Sequence, residues 1–130
     1  MNPIIAANWK MNLTKTEAAE LISQVNATMD PLTNIELIIA PGHCYLDLVQ
    51  STLKKGAVAA QNISEYTGGA YTGEISAQMA KSCGAAYAIL GHSERRHVFH
   101  ETNEMIRKKL ELCYGNGIVP IVCVGETLDE

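Results

Sequence analysis

Short apolar runs alternate along the chain with longer stretches whose apolar residues recur at helical spacing. Residues 4–8 read as a buried strand. Thr14 and Glu17 have the T-x-x-E spacing of a capping box, in which two side chains satisfy amides left free at a helix start. Ala18, Leu21, Ile22 and Val25 extend that helix to about Met29, and Pro31 ends it. Residues 35–40 form a second strand, stopped by Pro41-Gly42, and residues 44–53 a second helix, stopped at Gly56. A third strand spans 57–61, and a polar loop with Gly68, Gly69 and Gly73 follows to Glu74. A short helix at 76–82 closes at Gly84, and a fourth strand spans 85–90. A helical turn starts at Ser93, and a longer helix starts at Thr102, with a second capping box available there through Asn103. Residues 118–124 form the fifth strand.

Strands alternating with helices predict a parallel sheet with right-handed crossovers, and apolar runs without polar alternation predict strands covered on both faces. No fixed-period repeat, linker or low-complexity segment interrupts the pattern, so residues 1–130 are assigned to a single domain. Two architectures fit: an open doubly wound sheet, or an arc of a (β/α)8 barrel. The first strand runs into Asn8-Trp9-Lys10-Met11-Asn12 without glycine, which weakens the dinucleotide-binding, open-sheet reading.

Composition narrows the function classes. The net charge of −4 is dispersed, and the basic residues form no stripe suited to nucleic acid or an anionic membrane. No apolar run approaches the ~18 residues of a membrane helix, and the N-terminus lacks the pattern of a signal peptide. Cys44, Cys83, Cys113 and Cys123 are widely spaced, without a C-x-x-C pair, and read as reduced thiols of a cytoplasmic protein.

In parallel α/β folds, chemistry gathers where strands end and helices begin. The polar residues at those places are Asn8 and Lys10, then His43, Gln61 and Asn62, then His92, Ser93, Glu94 and Arg95, and finally Cys123 and Glu126. Lys10 can direct a cation at an anionic substrate such as a phosphate ester, or be a solvated strand-end lysine. His92 precedes a helix start, whose free amides favour a neutral imidazole able to donate to a developing oxyanion. It can equally be a helix-entry histidine bonded to backbone. Glu94 can bind Lys10 or serve as a first-turn carboxylate. His97 and His100 have no third ligand at convincing spacing, so no metal site is expected.

Asn8-Trp9-Lys10-Met11-Asn12 resembles the corresponding segment of triosephosphate isomerases, and the resemblance recurs along the chain. It continues through Ala40-Pro41, Ala60-Gln61-Asn62, the run Gly69-Ala70-Tyr71-Thr72-Gly73-Glu74, the highly specific Gly91-His92-Ser93-Glu94-Arg95-Arg96, and Cys123-Val124-Gly125-Glu126-Thr127. The resemblance implies a partial (β/α)8 TIM barrel, five parallel strands with intervening helices. It also implies interconversion of dihydroxyacetone phosphate and glyceraldehyde 3-phosphate, in glycolysis and gluconeogenesis, without cofactor or metal. By the same resemblance Asn8 and Lys10 bind the triose phosphate, and Lys10 and His92 are catalytic, His92 as a neutral electrophile. Ser93, Glu94, Cys123 and Glu126 support the site, and Met11 and Thr72 make contacts of a homodimer. The family's glutamate base, its lid and its glycine-rich phosphate sites have no match in these 130 residues. Strands one and five are then expected to be open edges, covered by further copies or by a complementary C-terminal half. The alternative is a non-catalytic half-barrel that self-associates as an assembly or binding module.

Overall fold

The computed structural model describes residues 2–29, 31 and 34–125. Its elements are β1 (Ile4–Asn8), α1 (Lys15–Met29), β2 (Glu36–Ala40), α2 (Leu46–Thr52), β3 (Ala57–Ala60), α3 (Ala77–Ser82), β4 (Ala85–Leu90), α4 (Ser93–His97), α5 (Asn103–Gly115) and β5 (Val119–Val122). A 3-10 turn, His43–Tyr45, leads into α2. All strand pairs are parallel, and spatial order follows chain order, β1-β2-β3-β4-β5. Chain-order pairing is the pattern of a barrel arc. A doubly wound sheet would instead reverse its order at a switch point. The open-sheet reading is thereby excluded, and the fold is five strands of a TIM barrel with their helices outside.

Local chemistry explains the boundaries. The Thr14 amide and hydroxyl both donate to Glu17 Oε2 at 2.7 Å, and the Glu17 amide reaches Thr14 Oγ1 at 3.5 Å, so the first capping box forms. The second does not. Thr102 alone caps α5, accepting from the Met105 amide at 3.3 Å, because its third helical position is methionine and cannot reach back. Ser76 caps α3 in the same way, through the Met79 amide at 3.2 Å. The second helix is shorter than its apolar pattern predicts, since its first turn tightens into the 3-10 form.

Both faces of the sheet are apolar, as the continuous runs require. Outward, Leu37, Ile39 and Val58 pack against Ile22, Leu46 and Val49 of the first two helices. Further along, Ala60, Ala88 and Leu90 pack against Ala77, Ala80, Ile106 and Cys113. Inward, Ile38, Ala40, Ala59 and Ile89 form a third cluster with Tyr87, Ile121 and Cys123. The curl is tight enough that Ala59 is fully buried there. Tyr87 donates to Glu36 Oε1 at 2.7 Å, tying β4 to β2 across β3. The outer strands are more exposed: Ile4 and Ile5 on β1 and Val119 on β5 are each about half accessible.

Candidate active site

Most of the polar residues collected at the strand ends converge on one cleft of about 300 Å³, lined by Asn8, Lys10, Gln61, His92 and Glu94 among others. Each is placed by a distinct local device. Asn8 ends β1, and its Oδ1 accepts the Lys10 amide at 2.9 Å, folding the chain into a tight turn. Lys10 takes a left-handed backbone, φ 56°, which a side chain with a Cβ adopts only when its surroundings hold it there. Its ammonium then reaches Glu94 Oε1 at 2.7 Å. That ion pair holds the Glu94 carboxyl below the ordinary carboxylate range, the hydrogen bond from Lys10 being the larger cause.

His92 sits between β4 and α4. Gly91 makes the turn with φ 66°, and a Cβ there would stand 2.7 Å from Ile106 Cδ1 and 2.8 Å from Arg96 Nη2, so only glycine fits. His92 caps α4: its Nδ1 accepts the Glu94 amide at 3.2 Å. An Nδ1 that accepts carries a lone pair, which leaves the ring proton on Nε2. Glu94 Oε2 lies 3.5 Å from the same nitrogen, too long to compete with the amide. The arrangement offers one ammonium and one neutral imidazole donor at the same cleft, with a carboxylate between them. Such a set can bind an anionic oxygen and hydrogen-bond a second oxygen that gains charge.

The remaining expected residues divide. Met11 lines the cleft and is almost wholly exposed, and Thr72 is exposed on the turn of the long loop. That loop is built, since the Ser64 amide bonds Ile75 O at 2.8 Å and the Tyr66 and Tyr71 rings stack at 3.8 Å. Ser93 opens α4 with its side chain exposed, outside the cleft lining. Cys123 faces the inner apolar cluster, where burial raises its thiol above the ordinary range, and it shares a second, apolar cavity of about 180 Å³ with Asn8 and His92. Glu126 lies outside the described residues. Among the described residues no group of three His, Cys, Asp or Glu is placed to hold a metal ion, and no helix is long and apolar enough to cross a membrane.

Sequence reasoning gave no role to Arg96, yet it braces the site. It donates to Gly91 O at 2.7 Å, Asn103 Oδ1 at 2.8 Å and Cys123 O at 3.2 Å, joining the ends of β4 and β5 to α5. It also missed Glu101, whose Oε1 binds Arg95 at 2.7 Å and the buried Lys109. Lys109 in turn donates to Asn62 Oδ1 at 2.9 Å. The only sequence signal for this network is a lysine, Lys109, at an apolar position of a helix pattern.

Comparison with known proteins agrees with this fold. A model of the triosephosphate isomerase family matches residues 3–130. A triosephosphate isomerase of Vibrio cholerae is 37% identical over 129 aligned residues, covering 96% of this chain and 50% of that protein. The crystal structure of a triosephosphate isomerase from Bartonella henselae superposes with a TM-score of 0.91 at 36% identity, covering 99% of this chain and 54% of that one. The chain thus spans about half the length of the curated relative it matches.

Proposed function

We propose, from the premise that the chain belongs to the triosephosphate isomerase family, that it carries the anion-binding and carbonyl-polarising part of a site that interconverts dihydroxyacetone phosphate and glyceraldehyde 3-phosphate. The observation that carries this reading is the trio at the cleft: the Lys10 ammonium at 2.7 Å from Glu94, and His92 with its Nδ1 occupied by the Glu94 amide. In the reaction Lys10 offsets the charge of the phosphate and the enediolate. The His92 Nε2–H hydrogen-bonds the substrate carbonyl as it gains negative charge, and Asn8 helps seat the substrate. A donor of this kind contributes only where charge develops, which is where catalysis needs it. Glu94 keeps Lys10 in place between turnovers, while Ser93, Cys123 and Glu126 support the site. No residue of this cleft is assigned the role of the base that deprotonates carbon.

The same reading includes a homodimer in the cytoplasm, acting in glycolysis and gluconeogenesis. The long loop with Thr72 at its exposed turn is the projection, and the cleft beside Met11 is the receiving surface. Replacing the loop tip with a short glycine turn should dissociate that dimer in sedimentation experiments.

The direct test is titration of dihydroxyacetone phosphate into the wild-type chain and Lys10→Met, followed by calorimetry. Removing a charged partner of the phosphate should weaken binding on the order of tenfold or more. Equal affinity in the two proteins would refute the role of Lys10. A coupled isomerase assay beside His92→Ala tests the electrophile: any turnover this chain supports must be lost in the variant.

A further inference from the structure

Tyr66 and Tyr71 form the one stacked ring pair among the described residues, with centroids 3.8 Å apart and planes within 6° of parallel. Parallel carbon faces rest about 3.5 Å apart, so centroids this close leave little lateral offset. Two neutral phenol rings do not choose that arrangement. Their like-charged faces favour an offset or edge-to-face contact, with centroids about 4.5–7 Å apart. The loop imposes the stack. On one side the Tyr66 amide donates to Oγ of the buried Ser64 at 3.3 Å, and Glu65 pairs with Lys108 of α5 at 2.9 Å. On the other side the Tyr71 amide donates to Gly69 O at 2.9 Å, in a turn that Gly69 makes with φ 110°, and the Glu74 amide donates to Tyr71 O at 3.0 Å. Both residues are accessible, at 41% and 43%.

We propose that this pair is a site of oxidative modification, at which Tyr66 and Tyr71 join as an intramolecular dityrosine when the chain meets a one-electron oxidant such as an activated haem peroxidase. The proposal stands apart from the reading of the cleft. An eclipsed stack is poor for two neutral rings but suits a ring that has lost an electron, because the hole is shared between both faces. The pair therefore draws oxidation away from the other tyrosines. Tyr45 and Tyr87 are less accessible, and their hydroxyls are engaged by Leu13 O at 3.2 Å and Glu36 Oε1 at 2.7 Å. Tyr114 is more exposed, at 71%, but has no ring stacked on it.

In the coupling each phenol gives the oxidant one electron and releases its hydroxyl proton, leaving a phenoxyl radical with unpaired spin on the carbons beside C–O. One such carbon of Tyr66 bonds to one of Tyr71. The hydrogen on each bonded carbon then moves to the oxygen, which restores two phenols. The pair loses two hydrogens in all, and one hydrogen peroxide is reduced to two waters. Tethered groups meet at an effective concentration on the order of millimolar, so in a micromolar solution coupling within the loop outruns coupling between chains by about a thousandfold. The new bond closes residues 66–71 into a ring that contains Gly68 and Gly69 and lies beside Thr72.

The test treats the chain with a haem peroxidase and hydrogen peroxide, at micromolar concentration so that the loop is free of a second copy, and then with a thiol to reduce any disulfide. Dityrosine fluorescence should appear in the monomer-sized species. The tryptic peptide 56–81, which holds both tyrosines, should lose two hydrogens. Tyr66→Phe and Tyr71→Phe keep both rings and remove one phenol each, so the fold is retained, which circular dichroism checks. Either should lower the monomer signal by about tenfold or more. Tyr114→Phe should leave it unchanged. Fluorescence confined to cross-linked dimers, a signal that survives either loop variant, or one that Tyr114→Phe abolishes overturns the proposal. So does a peptide 56–81 that gains oxygen without losing two hydrogens.

Discussion

Glu94 and Arg95 are neighbours on one short helix, yet they belong to charged clusters built on opposite principles. Glu94 pairs with Lys10 where both side chains are about half exposed. Arg95 pairs with Glu101, which is 1% exposed and also binds Lys109, itself 3% exposed. Water screens the first pair, so it contributes little to stability and its partners stay free to exchange. The second is shielded, and each of its charges depends on the others. The cleft therefore has a compliant wall, where an incoming anion can replace Glu94 as the partner of Lys10. Beneath it lies a fixed floor that joins the end of β3 at Asn62, the turn after α4 and the middle of α5.

The largest expected effect comes from breaking the floor. Lys109→Met removes one cation from a carboxylate that cannot be resolvated, and the cost of stripping a partner from a buried pair is about 3 kcal/mol. Urea denaturation should show a correspondingly lower midpoint with little change in slope. A loss below about 0.5 kcal/mol, typical of a neutral surface site, would mean the network is hydrated in solution and the contrast with Lys10–Glu94 false.

A smaller effect is expected from relieving strain next to the floor. His100 leads directly into Glu101 with φ 57°, a conformation costly for any residue with a Cβ. Its side chain is exposed, and glycine there removes the steric conflict at some cost in chain entropy. His100→Gly should be stabilising by about 0.5–1 kcal/mol in the same denaturation experiment. Destabilisation would show that the imidazole makes a contribution its exposure does not reveal.

The two clusters were not equally legible in the sequence. Lys10, His92 and Glu94 stand at strand ends, where the alternation of apolar runs and helical stretches already locates chemistry. The strands were also readable, β1 and β4 over their full length and the others to within a residue or two, because their sequences are continuous apolar runs. Glu101 and Arg96 look like ordinary loop and helix charges, and Lys109 differs only in falling on the apolar face of its helix. Their partners are up to 47 positions away, as for Lys109 and Asn62, so their burial follows from the folded topology alone. The same holds for Gln61: its place after β3 was legible, but its bond across 51 positions to Lys10 O was not. The second capping box failed for a local reason, a methionine where glutamate was needed, and the helix starts there regardless because Thr102 suffices.

The smallest effect tests the compliant wall. The Glu94 carboxyl is held below its ordinary value of 4.5 by the hydrogen bond and charge of Lys10. A group whose folded pKa is depressed adds stability that is complete above the unfolded value and is lost as pH falls through the folded one. Thermal denaturation of wild type and Lys10→Met should therefore differ slightly at neutral pH, and that difference should vanish in acid, below the depressed Glu94 value. Added salt should shrink it as well, since the Debye length falls from about 10 Å at 0.1 M to 3 Å at 1 M. The Lys109→Met deficit should respond much less to salt, being shielded from counterions. A Lys10→Met difference that persists unchanged in acid and in salt would mean that Lys10 acts through packing or backbone rather than through Glu94. The wall would then be as fixed as the floor, and an anion could enter only by displacing a structural residue.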